Sequence, residues 1–365
     1  MNPPDYRYVI DLTRSDGSAL GHYPADVDWT PVLEWGRLLA LRRWREAEMA
    51  AGAAVSVAPA WHAESGAPCV GGLRVRVAAN GCAPVTDEIP LAYFRPLAVK
   101  LSHTLVEQKK LAAGDRFHYS VAAFPQPSAP RHPSGEELDF EDVPVPVALG
   151  QASLAEFRAR SSVLGDLHEG DLAVFVPQQV VSELIERTEQ AGALEAGAML
   201  LGRLHAAAEA EDVFLEVTAQ VPALHTVAET ARLSLTADTW NAVNAARALR
   251  RGHEQLVGWQ HSHPAKFWCD KACSTEARAR CALGRPFFSS DDCAVHRTVF
   301  WKAHSVALLI TNAPAEMNVA MFAWHRGLIR SRGFFLLDPN PAARPLAVPA
   351  TAPTTGEHTH ETTCQ

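Results

Sequence analysis

Gly258-Trp259-Gln260-His261-Ser262-His263-Pro264 is the stretch from which this chain is best read. The apolar run at residues 256–259 predicts a short buried strand, and that strand delivers two histidines at its end. Alternate side chains of an extended segment share a face, so His261 and His263 point the same way and can hold one metal ion between them. Pro264 lacks a backbone N–H and stops the ladder there. The chain carries 16 histidines, and a His-x-His pair alone reads equally well as two exposed polar residues at a strand end.

Two further stretches join it. Downstream, Ser289-Ser290-Asp291-Asp292 sets Ser289 and Asp292 at Ser-x-x-Asp spacing where a helix opens. A serine is a good N-cap and a carboxylate suits the positive end of a helix, so capping accounts for the pair without any chemistry. Upstream, Glu195-Ala196-Gly197-Ala198-Met199-Leu200-Leu201-Gly202 puts a carboxylate at the head of an apolar strand, ordinarily the place of a solvated edge residue. Around these the pattern predicts strands at residues 172–176, 198–204, 213–221, 306–311, 319–325 and 328–336. It predicts a helix from Pro177 with Val180, Val181, Leu184 and Ile185 on one face, and another opened by Thr236 with Trp240, Val243 and Leu249 inward. A third runs from about Asp291 to Trp301. Helices interspersed with strands make this an α/β (α+β) fold around one central sheet.

At 365 residues the chain is long enough for two domains. Its densest punctuation lies between Pro125 and Pro146, where six of the 25 prolines stand beside Glu136, Glu137, Asp139, Glu141 and Asp142. Such a stretch buries little and donates few hydrogen bonds, so it reads as a linker. Residues 1–124 then form a smaller α+β domain, with a helix opened by Thr30 as N-cap and Pro31 in its first turn, running toward Met49. Strands are expected there at residues 55–57, 73–77 and 117–121. Residues 125–170 are linker and connecting segment, 171–338 the C-terminal domain, and 339–365 a Pro-rich polar tail expected to be disordered.

The net charge of -8 argues against a nucleic-acid protein held by a general basic surface. No apolar run approaches the ~18–20 residues of a membrane span. Met1-Asn2-Pro3-Pro4-Asp5 has neither the basic nor the apolar region of a signal peptide. Seven cysteines are too few for a disulfide scaffold, so a cytoplasmic, reducing home is expected. Four of them, Cys269, Cys273, Cys281 and Cys293, nevertheless cluster in one short stretch.

Glu195 ahead of Leu200 and Gly202, then His261-Ser262-His263-Pro264, then Ser289 to Asp292 together resemble the JAMM (MPN-plus) zinc metalloprotease family. The resemblance extends over about residues 171–338 and implies a central mixed sheet flanked by helices. It implies that His261, His263 and Asp292 hold one catalytic Zn²⁺ with a fourth position open, that Glu195 is the general base, and that Ser289 donates to the oxyanion. It further implies an isopeptidase or peptidase that cleaves after the C-terminal glycine of a ubiquitin-like protein, working beside activating and conjugating enzymes. The Ala-rich composition fits a bacterial, deubiquitinase-like member with an extra N-terminal domain, in which residues 1–124 recruit a partner or substrate. Trimming of a sulfur-carrier protein and a non-catalytic interaction platform are the alternatives. An amidohydrolase barrel with its own His-x-His needs further ligands on later strands and more chain than this domain offers.

One departure concerns the connection from Pro264 to Ser289. The family's is far shorter, whereas here residues 265–288 intervene and carry Cys269, Cys273 and Cys281, with Cys293 directly after Asp292. A second, structural zinc held by these four cysteines is one reading, since a loop without its own core needs a staple. Buried or free thiols are the other.

Overall fold

The computed structural model describes residues 6–62, 68–126, 145–210, 212–224, 226–228, 233–250, 254–268, 274, 276–277, 282–313 and 317–338. They form two compact units, the first made of residues up to Pro146 with 326–328, the second of the remainder from Val147 onward. The tail at 339–365 and most of the proline-rich linker lie outside the described residues.

The first unit runs β1 (Tyr6–Arg14), β2 (Ala19–Pro24), α1 (Thr30–Trp44), α2 (Ala47–Ala51), β3 (Ala54–Trp61), β4 (Val70–Ala78), β5 (Val85–Pro90), α3 (Arg95–Glu107) and β6 (Phe117–Pro125). These strands make two antiparallel three-stranded sheets, ordered β2-β1-β6 and β3-β4-β5. Pro31 stands in the first turn of α1 as the sequence predicts, but Thr30 is inside the helix instead of capping it. Its backbone N–H donates to Asp28 Oδ1 at 3.0 Å, so the capping carboxylate lies two residues upstream. The helix stops at Trp44, short of Met49, because Arg45 turns left-handed with φ 57.

The second unit continues with β7 (Leu149–Ala152), α4 (Leu154–Ala159), β8 (Ser161–Leu164), β9 (Ala173–Pro177), α5 (Gln178–Ala191), β10 (Gly197–Ala207), β11 (Val213–Pro222), β12 (Thr226–Ala228), β13 (Leu233–Leu235) and α6 (Ala237–Leu249). Then come β14 (Gln255–His263), α7 (Ala265–Trp268), α8 (Ser290–Val299), β15 (Val306–Asn312), β16 (Met317–His325), β17 (Leu328–Arg332) and β18 (Phe334–Leu337). Ten strands build one mixed sheet in the order β17-β16-β15-β14-β10-β11-β9-β18-β8, with β7 beside the far end of β10. The fold is α+β. The unit opens at Val147, ahead of the boundary at 171 suggested by the sequence. Part of the expected connector, β7 and β8, is sheet: β7 runs parallel to β10 and β8 antiparallel to β18.

Central strands are buried on both faces. Every residue of β15 is buried, as are the last seven of β14, so the polar ends of both strands, His261 and His263 among them, lie in the interior with the apolar stretches at 306–310 and 257–259. On one face of the sheet Met199, Leu201, Trp259, Ala307, Leu309 and Phe322 pack with Phe288, Cys293 and Phe300 into a single core. Helix α5 buries Val180, Val181, Leu184 and Thr188, a stripe of helical period, with Ile185 half-buried at its border. Thr236 caps α6 as predicted. Only the first half of that helix faces inward, however: Val243 is buried and Trp240 half-buried, while Leu249 is 82% exposed on the last turn.

Two glycines let the central strands close up. The β10–β14 register slips between Leu200 and Leu201, and the β10–β11 register between Leu201 and Gly202. A Cβ on Gly258 would lie 2.0 Å from the Val306 carbonyl oxygen, and one on Gly202 2.4 Å from that of Glu216. The backbones approach there more closely than any side chain permits. No helix among the described residues is long and apolar enough to cross a membrane.

Candidate metal centre

The end of β14 carries the site. Trp259, His261 and His263 alternate along the strand and share a face, as the period of two requires, and both histidines are buried. Asp292 reaches them from the first turn of α8. His261 Nε2 lies 3.0 Å from Asp292 Oδ1, His263 Nε2 lies 3.5 Å from Oδ2, and the two imidazole nitrogens are 3.2 Å apart. Among the described residues this is the one group of three metal-ligating side chains whose donor atoms converge. A tetrahedral ion about 2.05 Å from each donor would set neighbouring donors about 3.3 Å apart. The two imidazole nitrogens stand close to that separation and Asp292 presents one oxygen to each ring, so the residues suit a zinc ion.

The protonation states suit it as well. Burial lowers the pKa of His263 against the opposing pull of Asp292, which favours the neutral ring that a ligand must be. Burial alone would raise the Asp292 carboxyl, but the His261 charge, hydrogen bonds from both histidines and the Ser289 N–H hold it far below the usual range. It is a carboxylate throughout the working pH range.

Ser289 and Asp292 also form a capping box. The Ser289 N–H donates to Asp292 Oδ2 at 2.7 Å, and the Asp292 N–H donates to Ser289 Oγ at 3.1 Å. Capping and ligation are thus not rival readings of this pair. The Ser289 hydroxyl uses one acceptor lone pair for the cap and keeps its own O–H to donate.

Glu195, on the turn leading into β10, is buried and feels His261, Asp292 and Asp291 electrostatically. Burial pushes its carboxyl up to about 7, with the His261 charge pulling the other way. A dication at the triad would draw that value down again. Its place is set by Ser262, which the sequence reading passed over. Ser262 Oγ accepts from the Ala196 N–H at 2.8 Å, and the Ser262 N–H donates to the Ala196 carbonyl at 2.9 Å. The odd residues of the motif face the Asp292 carboxylate and the even Ser262 fastens the neighbour of the acid.

An aromatic wall flanks the triad. Trp268 and Phe287, both half-buried, lie 5.2 and 4.8 Å from the His263 ring, and Phe288 lies 5.7 Å from His261. Trp268 and Phe287 stand at the two ends of the 265–288 insertion, so these flanks of the insertion line the site. Within it, Cys269, Cys273 and Cys281 lie outside the described residues. Cys293 is buried and disulfide-bonded. A disulfide and a zinc thiolate make exclusive use of that sulfur, and the other three cysteines of the expected cluster lie outside the described residues.

No protein-family model matches the chain, and no curated protein does. Among solved structures that match is the solution structure of protein DSY2949 from Desulfitobacterium hafniense, with 18% identity and a TM-score of 0.29. That match covers 45% of this chain and 93% of the other.

Proposed function

We propose that the chain is a zinc-dependent isopeptidase or peptidase of the JAMM kind, cleaving after the C-terminal glycine of a ubiquitin-like protein. The observation that supports it is the convergence of His261, His263 and Asp292 at separations of 3.0 to 3.5 Å, with a buried acid electrostatically coupled to them. His261 and His263 would supply Nε2 and Asp292 its carboxylate to hold the ion. Zinc bound there supplies a Lewis acid that polarises a carbonyl and acidifies water. Glu195, buried and electrostatically coupled to the triad, takes the proton of the attacking water and returns it to the leaving amine. The O–H of Ser289, spare after capping, donates to the oxyanion as the carbonyl becomes tetrahedral. His263 is buried beside the Trp268 and Phe287 rings.

Zinc-loaded protein should release peptide extensions or lysine-linked groups from ubiquitin-like proteins ending in glycine, and Glu195→Gln should bind zinc but leave them intact. A sulfur-carrier substrate, run in the same assay, separates conjugate cleavage from simple C-terminal trimming. Failure of the zinc-loaded protein on all of them, or cleavage that survives Glu195→Gln, would sink the proposal.

A further inference from the structure

Metal-binding histidines ordinarily fix their rings by donating the second ring N–H to an acceptor. Here Nδ1 of His261 is buried and finds no hydrogen-bond partner among the described residues. The last side-chain torsion of a histidine is broad, so something else must hold the ring plane if Nε2 is to be ready for an ion. The indole of Trp259 lies against that ring, 4.5 Å between centroids and 12° between planes.

The indole is itself clamped. Its other ring neighbours include Phe300, 5.8 Å away and 6° from parallel, and its N–H donates to His296 Nδ1 at 3.2 Å. His296 is wholly buried, its ring among Phe288, Phe300 and Trp324. Accepting at Nδ1 fixes its neutral tautomer, with the proton on Nε2. An imidazole is an expensive occupant of an aromatic core, and the proposed reaction gives it no task. It stands four residues after Asp292, one turn along α8, just as Trp259 stands two residues before His261 along β14. The same strand and helix are therefore joined twice, once through the ligands and once through the Trp259–His296 hydrogen bond.

We propose that Trp259, held by His296, is a positioning residue that fixes the ring plane of His261 and so presents Nε2 to the ion. This rests on the metal-centre reading above. The stack replaces the missing hydrogen bond at Nδ1, and His296 keeps the indole from turning with it.

The test uses the full chain, zinc affinity measured against a chromophoric chelator, and the visible absorption of the Co²⁺-loaded protein. Native protein should bind one ion at this site. Trp259→Leu and His296→Leu should each weaken zinc by about tenfold to a hundredfold and alter the Co²⁺ bands. His296→Gln, whose amide oxygen can accept the indole N–H, should recover most of the affinity and the native spectrum. Trp259→Phe, the mildest change, should keep the stack, lose the N–H and fall between, and it serves if either leucine variant does not melt cooperatively. Unchanged affinity and spectrum in the folded variants would overturn the inference while leaving the metal centre standing. Equal damage from His296→Gln and His296→Leu would reduce His296 to packing and overturn it too. Native protein without affinity for zinc or Co²⁺ would overturn both.

Discussion

Replacing Ser262 by alanine removes a single buried oxygen. That oxygen accepts the N–H of Ala196 at 2.8 Å, while the backbone bond from the Ser262 N–H to the Ala196 carbonyl remains. The variant thus cuts one of two ties and leaves a half-buried amide without an acceptor, a loss of about 1–3 kcal/mol. None of the distances that join His261, His263 and Asp292 runs through Ser262, so zinc affinity should stay within about twofold. Glu195 is one residue from the freed amide, and a displacement near 1 Å of a reacting group costs up to about a hundredfold in rate. Urea denaturation in a chelating buffer measures the first quantity, zinc titration the second and turnover the third. Ser262→Thr keeps the oxygen and should stay close to native in all three. The reasoning is refuted if Ser262→Ala is as stable as native to within about 0.5 kcal/mol. It is refuted equally if that variant loses zinc as His261→Ala does, or if the threonine variant is no better.

Gly258→Ala should cost at least about 2–3 kcal/mol, because its Cβ would stand 2.0 Å from the Val306 carbonyl and force β14 from β15. A native-like melting curve would contradict this close approach. Zinc at a hundred times its dissociation constant should stabilise the protein by about 2.7 kcal/mol, and His263→Ala should abolish the gain, as read by denaturation with and without metal. In metal-free protein, burial lowers His296 to about 3 and His304 to about 4, so the unfolded chain binds more protons below its ordinary value near 6.5. Their stabilisation is complete above that value and falls away on acidification, by about 2 kcal/mol each at pH 5. Glu195, raised to about 7, works the other way and stabilises the fold as the pH drops from 7 toward its unfolded value. Glu195→Gln should therefore steepen acid destabilisation by about 1–2 kcal/mol at pH 5 after allowance for solvent screening, and parallel pH curves for the two proteins would count against the buried acid.

The strands and helices that hold the site are legible in the sequence because each bears one strong signal. Residues 306–310 are an unbroken apolar run, and α5 shows its stripe of Val180, Val181 and Leu184. What escapes is short, local or relational. β7 and β8 are four residues each, and their places beside β10 and β18 come from partners far along the chain. Thr30 looks a better cap than Trp29, and nothing in the local pattern reveals that the Asp28 side chain does the work. Leu249 continues an apolar helical face that the core does not reach. The histidine pair is readable from spacing, since His261 and His263 must share a face once the strand is recognised, whereas Asp292 joins it only through the resemblance that the three stretches carry together. The shell around it is not, although the signal was present: Trp259 extends the same alternation, and His296 lies four residues from Asp292 on one helical face.

The capping box at the head of α8 bears on how such a site can decay. Ser289 and Asp292 hold each other's backbone N–H groups whether or not an ion is near, and losing such a cap costs a helix about 1 kcal/mol. The histidines cap no helix: their Nε2 atoms face the Asp292 carboxylate, and their Nδ1 atoms find no hydrogen-bond partner among the described residues. A descendant relieved of its chemistry would accordingly be free to lose His261 and His263 first and would keep Ser-x-x-Asp for the sake of the helix.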